Sequence, residues 1–413
     1  MEAVFALSLA FFLGMFLLLA VTVLVGVASA ARGRRPAPAP GRWPGVSVVV
    51  PAYNEGRNIR ACLDSLRNAG YPGKLEVLVV DDGSTDSTIR EARSRGALVV
   101  GQKHEGKVAA LNRGIARARH RLVLTIDADT VLEEGAIQEV VRPFQSPGVG
   151  AVSGIVNVRN RKGVLGAFQS VEYPYISFLR EVFSSVFRVA PGICGALTCY
   201  RKSVLGKVGG FRKTTALEDF DISFHIVKAG YEVVTAPQAL GSTVVPDGLP
   251  GLLKQRVRWL KGSMQCVLAH RDVFARRRLA MNYILTAQLF WFIYSFFALP
   301  LMLFHFAYWL PANSGGLVEL GWYFLRWFSL AGVAYMVWMI PQWGVNWVYI
   351  FGVLAGLVSS LIFLLSIVRY DRLGWRNGLA IFFFFPYTLL MSVFMMAGAL
   401  AFFASRGKGT FVS

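Results

Sequence analysis

The chain has 413 residues, 43 Lys+Arg against 24 Asp+Glu for a formal net charge of +19, and 54% apolar residues. The length suits roughly two to three domains. The basic excess collects beside apolar segments and along 254–278, which suits anionic lipid headgroups, and no nucleic-acid partner is expected. The four cysteines (Cys62, Cys194, Cys199, Cys266) have no metal-ligand spacing and are expected as reduced thiols, and none of the five scattered histidines is assigned to zinc.

Residues 3–30 carry no charge and are rich in Leu, Phe, Val and Ala. They are long enough to cross about 30 Å of hydrocarbon, and they lack the basic start of a cleaved signal. An N-terminal transmembrane helix over 1–31 is therefore expected. Arg32, Arg34 and Arg35 follow, so the positive-inside rule puts the next domain in the cytoplasm, after a basic, Pro/Ala-rich linker over 32–43.

Residues 44–248 read as an α/β domain. Val46–Val50 is a continuous apolar strand ending in the loop Pro51-Ala52-Tyr53-Asn54-Glu55-Gly56, and 57–68 has helical spacing through Ile59, Leu63 and Leu66. A strand at Glu76–Val80 stops at Asp81-Asp82-Gly83-Ser84; a helix over 86–94, a strand at 98–100 and a helix over 107–118 lead to a strand at 121–126 that ends at Asp127. This alternation predicts a parallel sheet covered by helices, with ligands at the carboxyl ends of its strands. GxGxxG and GxxxxGK[ST] signatures are absent, so a dinucleotide or Walker-type site lacks its usual support. Residues 249–278 predict interfacial amphipathic helices. Beyond them, apolar blocks near 283–310, 322–341, 347–368 and 378–404 predict three to four spans in 279–413, the block around Arg326 and Pro341 being the weakest.

The polar motifs sit where these elements end. Asp127 and Asp129 flank one residue of an extended segment, so both carboxylates can converge on Mg²⁺ or Mn²⁺ shared with diphosphate oxygens; the pair would equally serve as a helix cap and a solvated turn. Asp81 and Asp82 can accept hydrogen bonds from a base or ribose, or form a turn. Tyr53 and Glu55 offer an aromatic face and a polar edge. Lys107, at a helix start, suits a diphosphate. Glu218-Asp219 precedes a helix and can supply a general base or a first-turn charge. Gln255, Arg258 and Trp259 share a helical side, where Arg258 can meet diphosphate oxygens and Trp259 a sugar ring; a basic interfacial helix is the alternative.

Taken in order, VVVPAYNE (48–55), VVDDGSTD (79–86), KHEGKVAALNRG (103–114), TIDADT (125–130), GICGALTCYRKSVL (192–205), LEDFD (217–221) and QRVRW (255–259) closely resemble the family-two inverting glycosyltransferases of the processive, membrane-integrated kind. That group includes poly-N-acetylglucosamine, chitin-oligosaccharide, hyaluronan and cellulose synthases. The resemblance covers about 44–265 and implies a GT-A-like cytosolic domain joined to α-helical transmembrane segments in the plasma membrane. It implies a nucleotide-sugar donor held by Pro51, Tyr53, Glu55, Asp81, Asp82, Lys107 and Asp127. It places a divalent metal on Asp129 and Asp127, with Asp219 as base beside Glu218. Gly192, Cys194, Gly195, Gln255, Arg258 and Trp259 would line the acceptor and diphosphate region. The acceptor would be a glycan or a lipid, and a partner subunit is left open. Leu217 stands where the family usually has Thr, and one N-terminal span stands where several relatives have two. If a polymer leaves through the C-terminal helices, Trp291, Tyr294 and Trp309 could line its path; an aromatic belt is the alternative.

Overall fold

The computed structural model describes residues 2–31, 38–190, 192–276, 279–308, 316–343 and 347–406. Arg32, Arg34, Arg35, Trp309 and the far C-terminal residues lie outside these. A 30-residue apolar helix, α1 (Glu2–Ala31), leads to the α/β domain. There β1 (Val46–Ala52), α2 (Ile59–Asn68), β2 (Leu75–Asp81), α3 (Thr88–Ser94), β3 (Leu98–Gly101), α4 (Lys107–Arg117) and β4 (Leu122–Ile126) alternate. The chain continues through β5 (Val131–Leu132), α5 (Ala136–Val141), β6 (Val149–Val158), α6 (Val164–Phe187), β7 (Leu197–Arg201), α7 (Lys202–Val208), α8 (Glu218–Lys228), β8 (Glu232–Thr243) and α9 (Leu249–Ala269).

The eight strands form one sheet in the order β3-β2-β1-β4-β7-β6-β8-β5. β1 to β4 are parallel, as the strand–helix alternation predicts. The expectation of a parallel sheet fails beyond them: β7 runs antiparallel to both β4 and β6, and β5 antiparallel to β8. The sheet is therefore mixed, because α6 returns the chain to the end at which β6 left the sheet, so β7 runs back between β4 and β6. Successive strands leave β1 on opposite sides, β2 on one and β4 on the other. This reversal opens a crevice at their carboxyl ends.

Alternate residues of β1 feed two cores. Val48 and Val50 pack with Ile59, Leu63, Leu124 and Ile137 on one face. Val49 packs on the other with Leu111, Val123, Tyr200 and Ile226. The second core runs on without a break through Leu260 and Met264 into Leu285, Phe292 and Phe402 of the C-terminal helices.

Those helices are α10 (Leu279–Tyr308), α11 (Leu317–Phe328), α12 (Ala331–Trp343), α13 (Trp347–Tyr370), α14 (Trp375–Phe382) and α15 (Phe384–Arg406). Among the described residues four helices are long and apolar enough to cross a membrane: Glu2–Ser29, Leu279–Ala307, Ile350–Tyr370 and Phe384–Ala404. The block expected near 322–341 is broken. Ser329 is extended at φ −143° and ψ 172°, and Leu330 donates its N–H to Phe382 O at 2.9 Å rather than continuing a helix. The resulting helices of 12 and 13 residues are each too short for a hydrocarbon core at about 1.5 Å per residue.

Polar ties join the sheet to these helices. Asn157 Nδ2 donates to Tyr370 O at 2.8 Å, Arg161 pairs with Asp371 at 2.7 Å, and Glu181 of α6 takes Arg369 at 3.2 Å together with the Tyr370 hydroxyl. The ring of Tyr294 meets Phe11 of α1 edge-on, centroids 5.7 Å apart, so it packs helix on helix.

Candidate active site

A cavity of about 250 Å³ opens at the crevice, lined by Pro51, Tyr53, Glu55, Asp82, Lys107, Asp127 and Asp129, with Ala52, Ala110 and Ala128 between them. The loops after β1 and β2 are clasped together. Asn54, at φ 54°, donates its N–H to Ser84 Oγ and accepts from Thr85 N, each at 2.9 Å. Asp81 is buried and turned away from the cavity lining, its Oδ2 accepting Gly83 N and Ser84 N at 3.2 Å. Asp82 does line it. Its oxygens accept Gln102 Nε2 at 2.6 Å and the N–H groups of Glu105 and Gly106 at 2.9 Å, with His104 Nδ1 at 2.9 Å. Burial pushes this carboxyl up, but those donors outweigh burial and hold it below its ordinary range, so it stays ionised. The Tyr53 ring lies 4.2 Å from that of His104 at 31°, an exposed aromatic pair at the cavity mouth. His104 has no role in the sequence reading, since nothing local marks it as Tyr53's partner.

Asp127 and Asp129 are neither cap nor free turn: the next helix, α5, starts at Ala136 behind Gly135. Asp127 Oδ1 sits 2.7 Å from Lys107 Nζ, which also reaches Glu218 Oε1 at 3.3 Å. Burial alone would depress Lys107, but Asp127 and Glu218 hold it well above its usual range. Asp129 accepts Thr243 Oγ1 at 2.9 Å, a partner supplied by β8 and invisible in the local motif. Burial and the neighbouring charge of Asp127 push Asp129 up to about 6. Two carboxylates that repel each other across one cavity form an oxygen donor set that fits a divalent cation.

Lys107 links this cavity to the start of α8. Asp219 is the second residue of that helix. Its Oδ1 accepts Phe220 N at 2.8 Å and its Oδ2 accepts Gly195 N at 3.0 Å. Burial, then the adjacent Glu218, push it up to about 6. A Cβ on Gly195 would lie 2.8 Å from Asp219 Oδ2, so only glycine brings that N–H so close. Gly192, at φ 75°, faces the Phe220 ring, and Cys194 N donates to Ser153 Oγ at 3.0 Å. On α9, Gln255 Nε2 is 3.4 Å from Tyr173 Oη, and the Trp259 ring lies 6.3 Å from that of Tyr173. Arg258 is exposed.

Residues 44–262, more than half of the chain, match the family model described as glycosyltransferase like family 2. The chain belongs to this family. Its relatives include the poly-β-1,6-N-acetyl-D-glucosamine synthase of Staphylococcus epidermidis, 34% identical over 230 residues, covering 54% of this chain and 56% of the relative. The synthase of Staphylococcus aureus (strain COL) is 31% identical over 237 residues, covering 56% of this chain and 57% of the relative. The matches thus span little more than half the length of these relatives. Among solved structures, the mannosyltransferase PcManGT from Pyrobaculum calidifontis, in complex with GDP-Man and Mn²⁺, aligns with a TM-score of 0.60 at 25% identity over 87% of this chain and 99% of its own.

This glycosyltransferase domain has the GT-A-like fold implied by its motifs. The cavity gathers seven of the residues singled out in the sequence, and Lys107 ties to them Glu218, the neighbour of Asp219. Asp81, Gly192, Cys194, Gly195, Glu218, Asp219, Gln255, Arg258 and Trp259 are not on its lining. Sequence reasoning missed Arg256: buried, it pairs with Glu172 of α6 at 2.7 Å and lies 4.2 Å over the Trp259 ring. Its alternation with Arg258 gives no local sign of which arginine turns inward.

Proposed function

We propose that this protein is a membrane-bound inverting β-glycosyltransferase. It transfers a sugar from a nucleotide diphosphate donor, with UDP-N-acetylglucosamine the first candidate, to a growing polysaccharide. The observation that carries this reading is that one lysine, Lys107, pairs both with Asp127, in the cavity that Asp82 and Asp129 also line, and with Glu218, the residue before Asp219. Tyr53, with His104 behind it, would stack on the base, while Glu55 and Asp82 meet polar edges of the nucleoside. Asp127 and Asp129 would hold Mg²⁺ or Mn²⁺, which supplies charge neutralisation for the departing diphosphate. Asp219, held by Gly195 N–H and Phe220 N–H, takes the proton of the acceptor hydroxyl as it attacks the anomeric carbon. One displacement turns an α-linked donor into a β-glycoside. Exposed Arg258 and Lys107 suit the diphosphate oxygens, and Trp259 with Tyr173 an acceptor sugar face.

The positive-inside rule supports a cytoplasmic catalytic domain in a multi-pass plasma-membrane protein. With α11 and α12 too short to cross, α10 leaves the catalytic side and α13 returns to it. That agrees with Asp371 reaching Arg161. Arg369, Arg372 and Arg376 then fall on the cytoplasmic side.

A second reading is single transfer to a polyprenyl phosphate or other lipid acceptor; because the solved mannosyltransferase whose likeness covers 87% of this chain is in complex with GDP-Man, GDP-mannose enters the test as a donor. The test is product fate. Protein in lipid nanodiscs is incubated with radiolabelled UDP-N-acetylglucosamine or GDP-mannose, with Mg²⁺, Mn²⁺ or EDTA. Metal-dependent label in a high-mass, glycosidase-sensitive fraction is expected. Label in organic-extractable lipid would replace the polymer reading with single transfer, and full activity in EDTA would remove the metal.

A further inference from the structure

A second polar cluster lies behind the base. Asp221 stands two residues beyond Asp219, about 200° around α8, and so faces away from it. One turn further along, His225 Nε2 is 3.5 Å from Asp221 Oδ2. His270, which ends α9, places Nε2 at 2.9 Å from Asp221 Oδ1. The two imidazole rings lie 4.9 Å apart at 72°. One ligand atom from each of the three residues falls within 4.8 Å of the others. Tetrahedral Zn²⁺ with bonds of about 2.0–2.1 Å holds its ligand atoms roughly 3.3–3.5 Å apart, so small shifts bring these three onto one ion.

Charge points the same way. Asp221 and His270 are each 1% exposed, and a buried carboxylate needs a cation. Among the described residues no lysine or arginine pairs with Asp221; Lys228 on the same helix pairs with Asp272 at 2.5 Å. The side chains that face Asp221 are two imidazoles, whose ring nitrogens point at its oxygens. The His225 side chain, 20% exposed, leaves a way in from solvent and room for water as a fourth ligand.

We propose that Asp221, His225 and His270 bind a divalent transition metal ion, best matched by Zn²⁺, that fastens α8 to the end of α9. The N₂O donor set suits zinc, whereas Mg²⁺ prefers oxygen alone. The ion is separate from any metal at Asp127 and Asp129. It would hold together the two helices that carry Asp219 and Trp259, and the assignment stands whether or not the chain is a transferase.

The test uses the full chain in detergent or nanodiscs, stripped with chelator, loaded with Zn²⁺ or Co²⁺ and desalted. Wild type is expected to keep one zinc per chain by elemental analysis, and the Co²⁺ form to show the visible bands of a tetrahedral site. His225→Ala, at a partly exposed position that should fold, is expected to weaken zinc binding by more than about tenfold. Asp129→Ala is expected to retain the metal, which assigns it to this cluster. No retained zinc in wild type, or equal retention by His225→Ala, would overturn the site and leave an Asp–His hydrogen-bond network.

Discussion

Asp219 owes its position to two backbone N–H groups and its elevated proton affinity to burial beside Glu218. Asp219→Asn keeps the shape and removes the basic oxygen. Transfer is expected to fall by about 10²–10⁴-fold while donor affinity, read by titration calorimetry, stays within a few-fold. Wild-type turnover at that variant would remove Asp219 as base. The pH dependence has a definite sign. A base raised to about 6 is protonated and inactive below that pH, so kcat/KM should rise with pH through about 6 and then level off. An acid limb near the ordinary Asp value of 3.8 would mean that the group titrating is not this one. At this scale the sequence was most legible where a motif sits at a strand end, as with Asp82, Asp127 and Asp129. It was silent where a partner comes from a distant strand or loop, as Thr243 does for Asp129 and His104 for Tyr53.

Between elements, the contact that sets the base against the acceptor helix is made by a glycine. A Cβ on Gly262 of α9 would lie 2.6 Å from Leu217 Cγ and 3.0 Å from Leu217 N, immediately before Glu218. Leu217 therefore packs its side chain on α9. Gly262→Ala must push α9 away from the start of α8. A loss of about 1–3 kcal/mol of stability and a larger proportional loss of kcat than of substrate binding are expected, measured by thermal melting and steady-state kinetics. Unchanged kinetics would mean that this spacing is not critical. β1 to β4 could be read from continuous apolar runs separated by helical spacing. The reversal at β7 could not, because strand direction depends on how the chain returns and not on local pattern. The break at Ser329 was hidden for a related reason: a run of apolar residues looks the same whether it makes one helix or two.

Across the whole molecule, catalytic domain and apolar helices meet through buried charge. Arg256 of α9, Glu172 of α6 and Tyr387 of α15 close one network, Tyr387 Oη donating to Glu172 at 2.7 Å. Glu172→Ala would leave a buried guanidinium without its carboxylate, and a loss of about 3–5 kcal/mol is expected, seen as a lower melting temperature in detergent. Glu172→Gln, which keeps the volume and a hydrogen-bond acceptor but not the charge, should lose less; equal losses would make the charge alone, rather than packing or the hydrogen bond, the cause. The shared core through Leu260, Leu285 and Phe402 argues that the domain will not fold well when cut away from α10 and α15.

Lys107 gives the site a counter-ion of its own. Its ammonium is shared by Asp127 and Glu218 and offsets part of their mutual repulsion. On the proposed reading, a divalent metal arriving with its nucleotide would take over Asp127 from the lysine and leave the ammonium beside the phosphates. A site of that kind would favour metal and nucleotide arriving together over either alone.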